Sequence, residues 1–186
     1  MLRKNPSGHL PQVSEEAYVD STAIICGKVI IEADVFIGPY TVIRADEVDE
    51  NGNMEPIIIR SGSNVQDGVV IHSKDGGKVV VGQNCSIAHR SIVHGPCEIG
   101  EGVFLGFNSV VFDCTIGDGC VIRHNSVVDG CDLPAGFHLP STTDIGPGYD
   151  LSRIPRVEAK QSEFSESVVE ANKYLARGYK KLANEF

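Results

Sequence analysis

The chain of 186 residues is long enough for one folded domain with a real hydrophobic core, and it is too short for a large multidomain assembly. Lysines and arginines number 16 against 25 aspartates and glutamates, a net charge of −9, and no long basic run is present, so nucleic acid is not an expected partner. No segment approaches the roughly 20 apolar residues of a membrane span, and the opening MLRKNPSGHLPQ lacks the apolar region of a secretory signal. We expect a soluble, cytoplasmic protein without membrane contact.

A six-residue repeat of aliphatic side chains covers most of the chain. In chain order its members are Val19, Ile25, Ile31, Ile37 and Ile43, then Ile59, Val65 and Ile71, then Val81, Ile87, Val93, Ile99, Leu105 and Val111, and finally Ile116, Ile122 and Val128. A helix would spread this period around its whole circumference, whereas short strands would turn these side chains to one side. The repeat predicts an all-β fold, a three-sided parallel β-helix with 18 residues in each coil.

Two insertions interrupt the repeat. Ten extra residues between Ile43 and Ile59 form an acidic loop with the sequence DEVDENGNME, and four extra residues between Ile71 and Val81 form a bulge at residues 74–77. Insertions in a solenoid lie at its corners and often mark the working face.

The six cysteines form no CxxC pair and show no regular ligand spacing, so we expect no disulfide framework. Cys85, Cys97 and Cys120 fall on the small position that comes four residues after each aliphatic. We expect these three thiols to be core atoms rather than metal ligands.

We divide the chain into a β-helix domain with an N-terminal extension, residues 1–134, and a linker with a C-terminal helix packed on the β-helix, residues 135–186. The repeat is expected to stop after Pro134. In SESVVEANKYLARGYKKLANEF, Ser167 and Glu170 predict a capping box at the start of the helix. The apolar stripe of this helix is predicted to comprise Val168, Ala171, Leu175, Tyr179 and Leu182, with the polar Asn172 on the same stripe.

Three of the six histidines can be placed relative to one another by counting coils. His72 and His94 each follow an inward aliphatic by one residue, and their separation of 22 equals one coil plus the four inserted residues. They should therefore lie one above the other, about 4.8 Å apart at the backbone, with Arg44 one coil further down. His89 and Asp67 form a second column at a different corner.

Five extended residues separate His89 from His94, up to about 16 Å, so the two imidazoles of one chain can hardly reach the same ion. A site with three imidazoles would need His89 from a neighbouring chain, and a cyclic trimer would bring the same two corners together at every interface. The arrangement predicts a metal site. His9, His124 and His138 show no comparable pattern, and we interpret them as surface or packing residues.

The segments IRADE (43–47), SNVQDGVVIHS (63–73), SIAHRSIVHGP (86–96) and VVEANKYLARGY in the tail resemble the γ-class carbonic anhydrases, from about Gln12 to Tyr179. The resemblance implies a left-handed parallel β-helix, a homotrimer, and Zn²⁺, with Fe²⁺ or Co²⁺ as alternatives, bound by His72 and His94 of one subunit and His89 of the next. It implies a carbonate dehydratase, a lyase that reversibly hydrates carbon dioxide to bicarbonate by a metal-bound hydroxide at the trimer interface.

The resemblance also implies roles for polar residues around the metal. Arg44 and Asp67 resemble a pair that crosses the subunit interface, and Asp46 lies beside them in an Arg-x-Asp motif. Gln66 is implied to orient the hydroxide, and Asn172 to help position carbon dioxide.

Proton transfer to solvent is the least complete part of the match. Glu47 matches a family glutamate beside the metal and is the expected first proton acceptor. The partner glutamate of a longer acidic loop is missing, and Asp75 is the nearest carboxylate to its place. A metal-binding homologue with little or no hydration activity is therefore an alternative expectation.

Two other functions are compatible with the sequence. A hexapeptide-repeat acyltransferase would use one histidine as a general base toward an acceptor hydroxyl or amine, with a coenzyme A or acyl-carrier thioester as donor. A non-catalytic trimer would use the prism and the tail helix for assembly. Three histidines in ligand register favour the metal site over both.

Overall fold

The computed structural model describes residues 1–183, with side chains to residue 182, as a left-handed parallel β-helix of about seven turns followed by one long α-helix. The strands are β1 (Leu2–Arg3), β2 (Gln12–Val13), β3 (Tyr18–Val19), β4 (Ile24–Gly27), β5 (Val29–Ile31), β6 (Phe36–Ile37), β7 (Val42–Ala45), β8 (Ile57–Ile59), β9 (Asn64–Val65), β10 (Val70–Ser73), β11 (Val79–Val81), β12 (Ser86–Ile87), β13 (Ile92–Ile99), β14 (Phe104–Leu105), β15 (Val110–Ile116), β16 (Val121–Ile122), β17 (Val127–Asp129), β18 (His138–Leu139) and β19 (Asp144–Ile145). A 3₁₀ helix spans Leu151–Arg153, and the helix α1 spans Ala159–Ala183.

The strands form three faces of a prism, and all of the strand pairs are parallel. The first face contains β1, β4, β7, β10, the first halves of β13 and β15, β17 and β19. The second face contains β2, β5, β8, β11 and the second halves of β13 and β15. The third face is a separate seven-stranded sheet, β3, β6, β9, β12, β14, β16 and β18. The expected three-sided β-helix is confirmed.

The interior is the predicted stack of aliphatic side chains. Ile43, Ile71 and Val93 are register partners on successive coils, and all three are fully buried. Small inward residues support the corners: the Ser91 hydroxyl, for example, donates to the carbonyl of Gly106 over 2.8 Å. The aliphatic side chains of each coil pack on those at equivalent positions of the coils above and below. This burial of apolar surface is the main contribution to the stability of the fold.

The cysteines bear out the core assignment. Cys85, Cys97 and Cys120 are buried, and all six cysteines are free thiols. Cys114 is also buried, and its Sγ lies 3.8 Å from that of Cys97 on the neighbouring coil.

The β-helix continues past the expected end of the repeat at Pro134. Strands β18 and β19 pair with β16 and β17, and their inward residues Leu139 and Ile145 are buried. The six-residue spacing persists with the pairing, because buried Leu133, Leu139 and Ile145 follow one another at six residues after a single five-residue step from Val128. The expectation that the repeat stops after Pro134 is therefore wrong. The division at residues 134 and 135 remains a proposal, and residues 184–186 of its second part lie outside the described residues.

Helix α1 begins eight residues before the predicted capping box. Ser167 therefore lies inside the helix, where its hydroxyl donates to the Phe164 carbonyl, and the predicted cap is wrong. The helix packs on the third face, as expected, through contacts with β3, β6, β9, β12 and β16.

The buried side of α1 is rotated by about one residue from the predicted stripe. Its buried members are Ser165, Val169, Asn172 and Ala176, whereas Leu175, Tyr179 and Leu182 are largely exposed. Small side chains bring the helix axis close to the sheet, and the larger apolar residues flank the contact instead of filling it.

The two insertions lie side by side at one corner of the prism. Glu55 donates its backbone N–H to the carbonyl of Gly76 over 2.8 Å, which joins the acidic loop to the bulge. Gly76 has a φ of +65°, and a Cβ there would lie 2.4 Å from the carbonyl oxygen of Asn53, so the contact requires glycine. In residues 1–183, no helix is both long and apolar enough to cross a membrane.

Burial raises the pKa of the Cys85 thiol to about 12, so this thiol is protonated and unreactive at pH values near 8. Cys131 is only partly buried. We expect iodoacetamide to modify Cys131 in the native protein and Cys85 only after unfolding, as measured by peptide mass spectrometry. Equal rates at the two sites in the native state would contradict the inward position of Cys85.

Candidate metal centre

His72 and His94 lie in register on the adjacent strands β10 and β13 of the first face. Each follows a buried aliphatic residue and therefore turns its side chain outward. The Nδ1 atom of His72 lies 3.3 Å from the Nε2 atom of His94, and the two rings meet edge to face with centroids 5.2 Å apart. The predicted stacking of these two residues is confirmed.

The separation of these two nitrogens fits a shared metal ion. Two imidazole nitrogens bound tetrahedrally to zinc at ~2.0–2.1 Å are about 3.3 to 3.4 Å apart. With the proton on its Nδ1, His94 donates to the carbonyl of Gly95 over 3.2 Å, which leaves its Nε2 lone pair directed toward His72. Neutral imidazole suits zinc, iron and related divalent ions.

Carboxylates surround the other nitrogen of His72. Its Nε2 lies 3.1 Å from Oδ1 of Asp46 and 3.4 Å from Oε1 of Glu47. Arg44, one coil below His72, forms an ion pair with the second oxygen of Asp46. Asp46 is therefore held between a guanidinium and an imidazole, whereas Glu47 is about half exposed at the edge of the site.

A phenylalanine that sequence reasoning missed supports His94. Phe112 is the register partner of His94 on β15, and its ring stacks on the imidazole with centroids 5.3 Å apart and an interplanar angle of 29°. The Lys74 ammonium lies over the Phe112 ring, 5.5 Å from its centroid. The signal was available, because Phe112 follows His94 by one 18-residue coil.

His89 lies at the corner between the third and first faces, in the column predicted for it. Its Nδ1 is 3.6 Å from Oδ2 of Asp67, and both side chains are about half exposed. In the part of the chain that the structure describes, no group of three or more His, Cys, Asp or Glu side chains is arranged to hold a metal ion. One chain therefore brings two of the predicted ligands together, and the third lies at another corner.

Gln66 and Asn172 lie near His89 rather than near His72. They line a cavity of about 360 Å³ together with Asp67, His89 and an apolar wall formed by Tyr18, Phe36, Leu175 and Tyr179. Burial and the nearby Asp20 carboxylate raise the pKa of Tyr18, so its hydroxyl stays protonated and donates to Asp20. Asp75 is exposed in the second insertion, away from this cavity.

Asn64 fixes the amide of Gln66, and sequence reasoning also missed this residue. The Nε2 of Gln66 donates to Oδ1 of Asn64 over 2.9 Å, and the Nδ2 of Asn64 donates to the Ser86 hydroxyl over 2.8 Å. Asn64 is 1% exposed and Gln66 is 6% exposed, so water cannot easily replace either bond. Because both side chains point outward from the third face, their spacing of two residues was the available signal.

Sequence comparisons define the class of the protein. Residues 78–112 match the family described as bacterial transferase hexapeptide (six repeats), and residues 96–136 match the hexapeptide repeat of succinyl-transferase. The fold is similar to that of a hexapeptide transferase family protein from Anaplasma phagocytophilum, with a TM-score of 0.80, 25% identity, and coverage of 96% of this chain and 98% of that chain. The chain is thus a hexapeptide-repeat β-helix protein.

Two relatives define the family more closely. The chain is 33% identical over 197 residues to a carbonic anhydrase of Methanosarcina thermophila, covering 95% of this chain and 77% of that protein. It is 35% identical over 178 residues to the carboxysome assembly protein CcmM of Nostoc sp., covering 90% of this chain. The match spans only 31% of the length of CcmM. The chain belongs to the γ-class carbonic anhydrase family.

We expect the Asn64→Ala substitution to lower the free energy of unfolding by about 1–3 kcal/mol, because it leaves the buried Gln66 amide and the Ser86 hydroxyl without their partner. The measurement is urea unfolding at a fixed protein concentration. Asn53→Ala is the matched control: it removes an exposed asparagine whose side chain donates to Asp49, and it should change stability by less than about 0.5 kcal/mol. Equal losses in the two variants would contradict the structural role of Asn64.

Proposed function

We propose that this protein is a carbonic anhydrase that reversibly hydrates carbon dioxide to bicarbonate at metal sites shared between the subunits of a homotrimer. His72 and His94 of one subunit and His89 of the partner subunit would hold the ion. The observation that carries the proposal is the 3.3 Å approach of two outward imidazole nitrogens in a member of this family.

The ion would be zinc, with iron or cobalt as alternatives. When bound by neutral imidazoles it acts as a Lewis acid, which lowers the pKa of water at the site and generates a nucleophile near neutral pH. Gly95 supports this ligand set by accepting from His94, and Asp46 does so by facing His72.

Gln66 and Asn172 would orient the reactants. The Nε2 of Gln66 is committed to Asn64, so its Oε1 is the acceptor that it offers to a hydroxyl group in the cavity. The Nδ2 of Asn172 donates one proton to the Val168 carbonyl and retains a second N–H for an oxygen of carbon dioxide. The adjacent wall of Tyr18 and Phe36 suits a small apolar molecule.

Glu47 would take up the proton that hydration releases. Its carboxylate lies next to His72 yet remains about half exposed, so a proton held there can pass to solvent or to a buffer. Asp46 is less suited to this role because its two carboxylate oxygens already contact Arg44 and His72. Asp75 is more distant, so we assign it at most a late position on the route.

Arg44 and Asp67 would assist assembly. In this chain Arg44 on the first face is bound to Asp46, and Asp67 lies beside His89 at a corner, so the two belong to the two regions that the shared site must bring together. An ion pair between them across the subunit interface would complement the shared ligand set.

The His94→Ala substitution should reduce zinc content after dialysis to the background of the buffer and abolish the stopped-flow acceleration of carbon dioxide hydration. His72→Ala and His89→Ala should have the same effect, because two imidazoles hold zinc far more weakly than three. His138→Ala is the control, since His138 lies on β18 away from both corners. Full zinc content in the His89 variant would contradict a site shared between chains.

The Glu47→Gln substitution should reduce the hydration rate at least about tenfold in weak buffer while leaving zinc content unchanged, because it removes the proton acceptor and not a ligand. A high concentration of imidazole buffer should restore most of the lost rate. Asp75→Asn is the matched control and should have a smaller effect. A loss that imidazole cannot restore would instead indicate that Glu47 has a structural role.

A second candidate is an acyltransferase, which the match of residues 78–112 to a transferase repeat favours. A histidine would then act as a general base, and no metal would be needed. In that case His94→Ala would leave the metal content unchanged.

Similarity to a carboxysome assembly protein likewise favours a purely structural trimer, which would show no acceleration of hydration even when loaded with zinc.

A further inference from the structure

Two columns of outward side chains run along the prism and extend beyond the candidate metal centre. We define the strand column as Arg44, His72, His94, Phe112 and Asp129, which are register partners on β7, β10, β13, β15 and β17. We define the corner column as Asp67, His89, Phe107 and His124, which occupy equivalent turns between the third and first faces. Backbone bonds join its successive turns, from Arg90 to Asp67, Asn108 to His89 and Asn125 to Phe107.

The two columns rise in equal steps. From His72 to His94, Phe112 and Asp129 the steps are 22, 18 and 17 residues, and from Asp67 to His89, Phe107 and His124 they are also 22, 18 and 17. Each member of one column therefore lies on the same coil as a member of the other. A rotation about an axis parallel to the prism that brings His89 of the partner subunit to His94 must also bring Phe107 of the partner subunit toward Phe112.

We propose that a second copy of this chain docks its corner column on the strand column, with Phe107 of the partner subunit packed on Phe112 and His124 of the partner subunit paired with Asp129. This proposal rests on the shared metal site of the proposed function. It adds an aromatic contact and a polar contact on the next two coils, where no metal ligand lies.

The chemistry of the two columns is complementary. On their own coils Phe112 is matched by the aromatic Phe107 and Asp129 by the imidazole of His124. The acidic Asp67 lies level with His72, one coil above Arg44. The Nδ1 of His124 accepts the backbone N–H of Phe107, so its Nε2 is the nitrogen left for a carboxylate. Phe107 is 42% exposed although it stacks on His124 with centroids 4.4 Å apart, so an apolar ring faces outward in a preorganised position.

The surface between the columns is also apolar and uncovered. Val42, Val70, Ile92, Val110 and Val127 are register partners that turn outward from the first face. Val70 is 36% exposed and Ile92 is 39% exposed, and helix α1 covers the third face instead. A continuous apolar strip flanked by matched polar groups is typical of an interface between subunits.

Packing of the two phenylalanines would shield one side of the candidate metal centre. Phe112 already stacks on His94, so a second ring against Phe112 would cover the imidazole pair on the side of the next coil. It would exclude water there and fix the height at which His89 of the partner subunit approaches.

The test is sedimentation equilibrium with parallel titration of Zn²⁺ as the only added ligand. Phe107→Lys and Phe112→Glu should each weaken trimer association by at least about tenfold, because each replaces an aromatic ring with a charged group in the apolar contact. The double variant should regain most of the association, since the two new charges pair. Phe164→Ala is the control: Phe164 is equally exposed, at 42%, but lies on helix α1. Circular dichroism checks that every variant retains its β-structure.

The outcomes separate this inference from the function on which it rests. If the wild-type chain forms a zinc-binding trimer and neither single variant weakens it, the phenylalanine contact is overturned while the proposed function stands. If both variants dissociate and the double variant does not recover, direct pairing is likewise overturned. If the wild-type chain remains monomeric with zinc at all concentrations, the proposed function itself is wrong.

Discussion

The parallel pairing of successive coils is the constraint on which the rest of the structure depends. Backbone hydrogen bonds hold neighbouring strands about 4.8 Å apart, so equivalent positions of each coil form columns. Inward columns become a continuous aliphatic core, and outward columns repeat side chains at a spacing close to that of metal ligands. The approach of His72 and His94 is a direct consequence of this geometry, since each follows a buried aliphatic on adjacent strands.

The same constraint prevents a single chain from completing the site. His89 is fixed at a different corner by its own column, where Asp67 accompanies it. A rigid solenoid cannot bend that corner toward the first face without breaking the stacking of its core. Association of chains is therefore part of the proposed chemistry, in which the acidic, aromatic and imidazole groups of two chains would act together.

The sequence predicted those features that depend on counting coils. The β-helix, the core cysteines and the register of the histidine columns followed from a six-residue period, because in-register pairing leaves little freedom. The start of α1 and its buried side did not follow, since Ser165 and Ala176 pack closely on the sheet while more hydrophobic residues remain exposed. Hydrophobicity alone does not indicate how near a helix lies to a sheet. The support that Asn64 gives to Gln66 was likewise missed, because it depends on side-chain geometry rather than on periodicity.

A complementation experiment tests most directly whether one cation is held by two chains. A His94→Ala chain still offers an intact His89, and a His89→Ala chain still offers the pair of His72 and His94. Neither variant alone should bind zinc, but co-refolded mixed trimers should regain zinc binding, because some of their interfaces contain all three imidazoles. Zinc binding by either variant alone, or mixed trimers that stay free of zinc, would contradict the account.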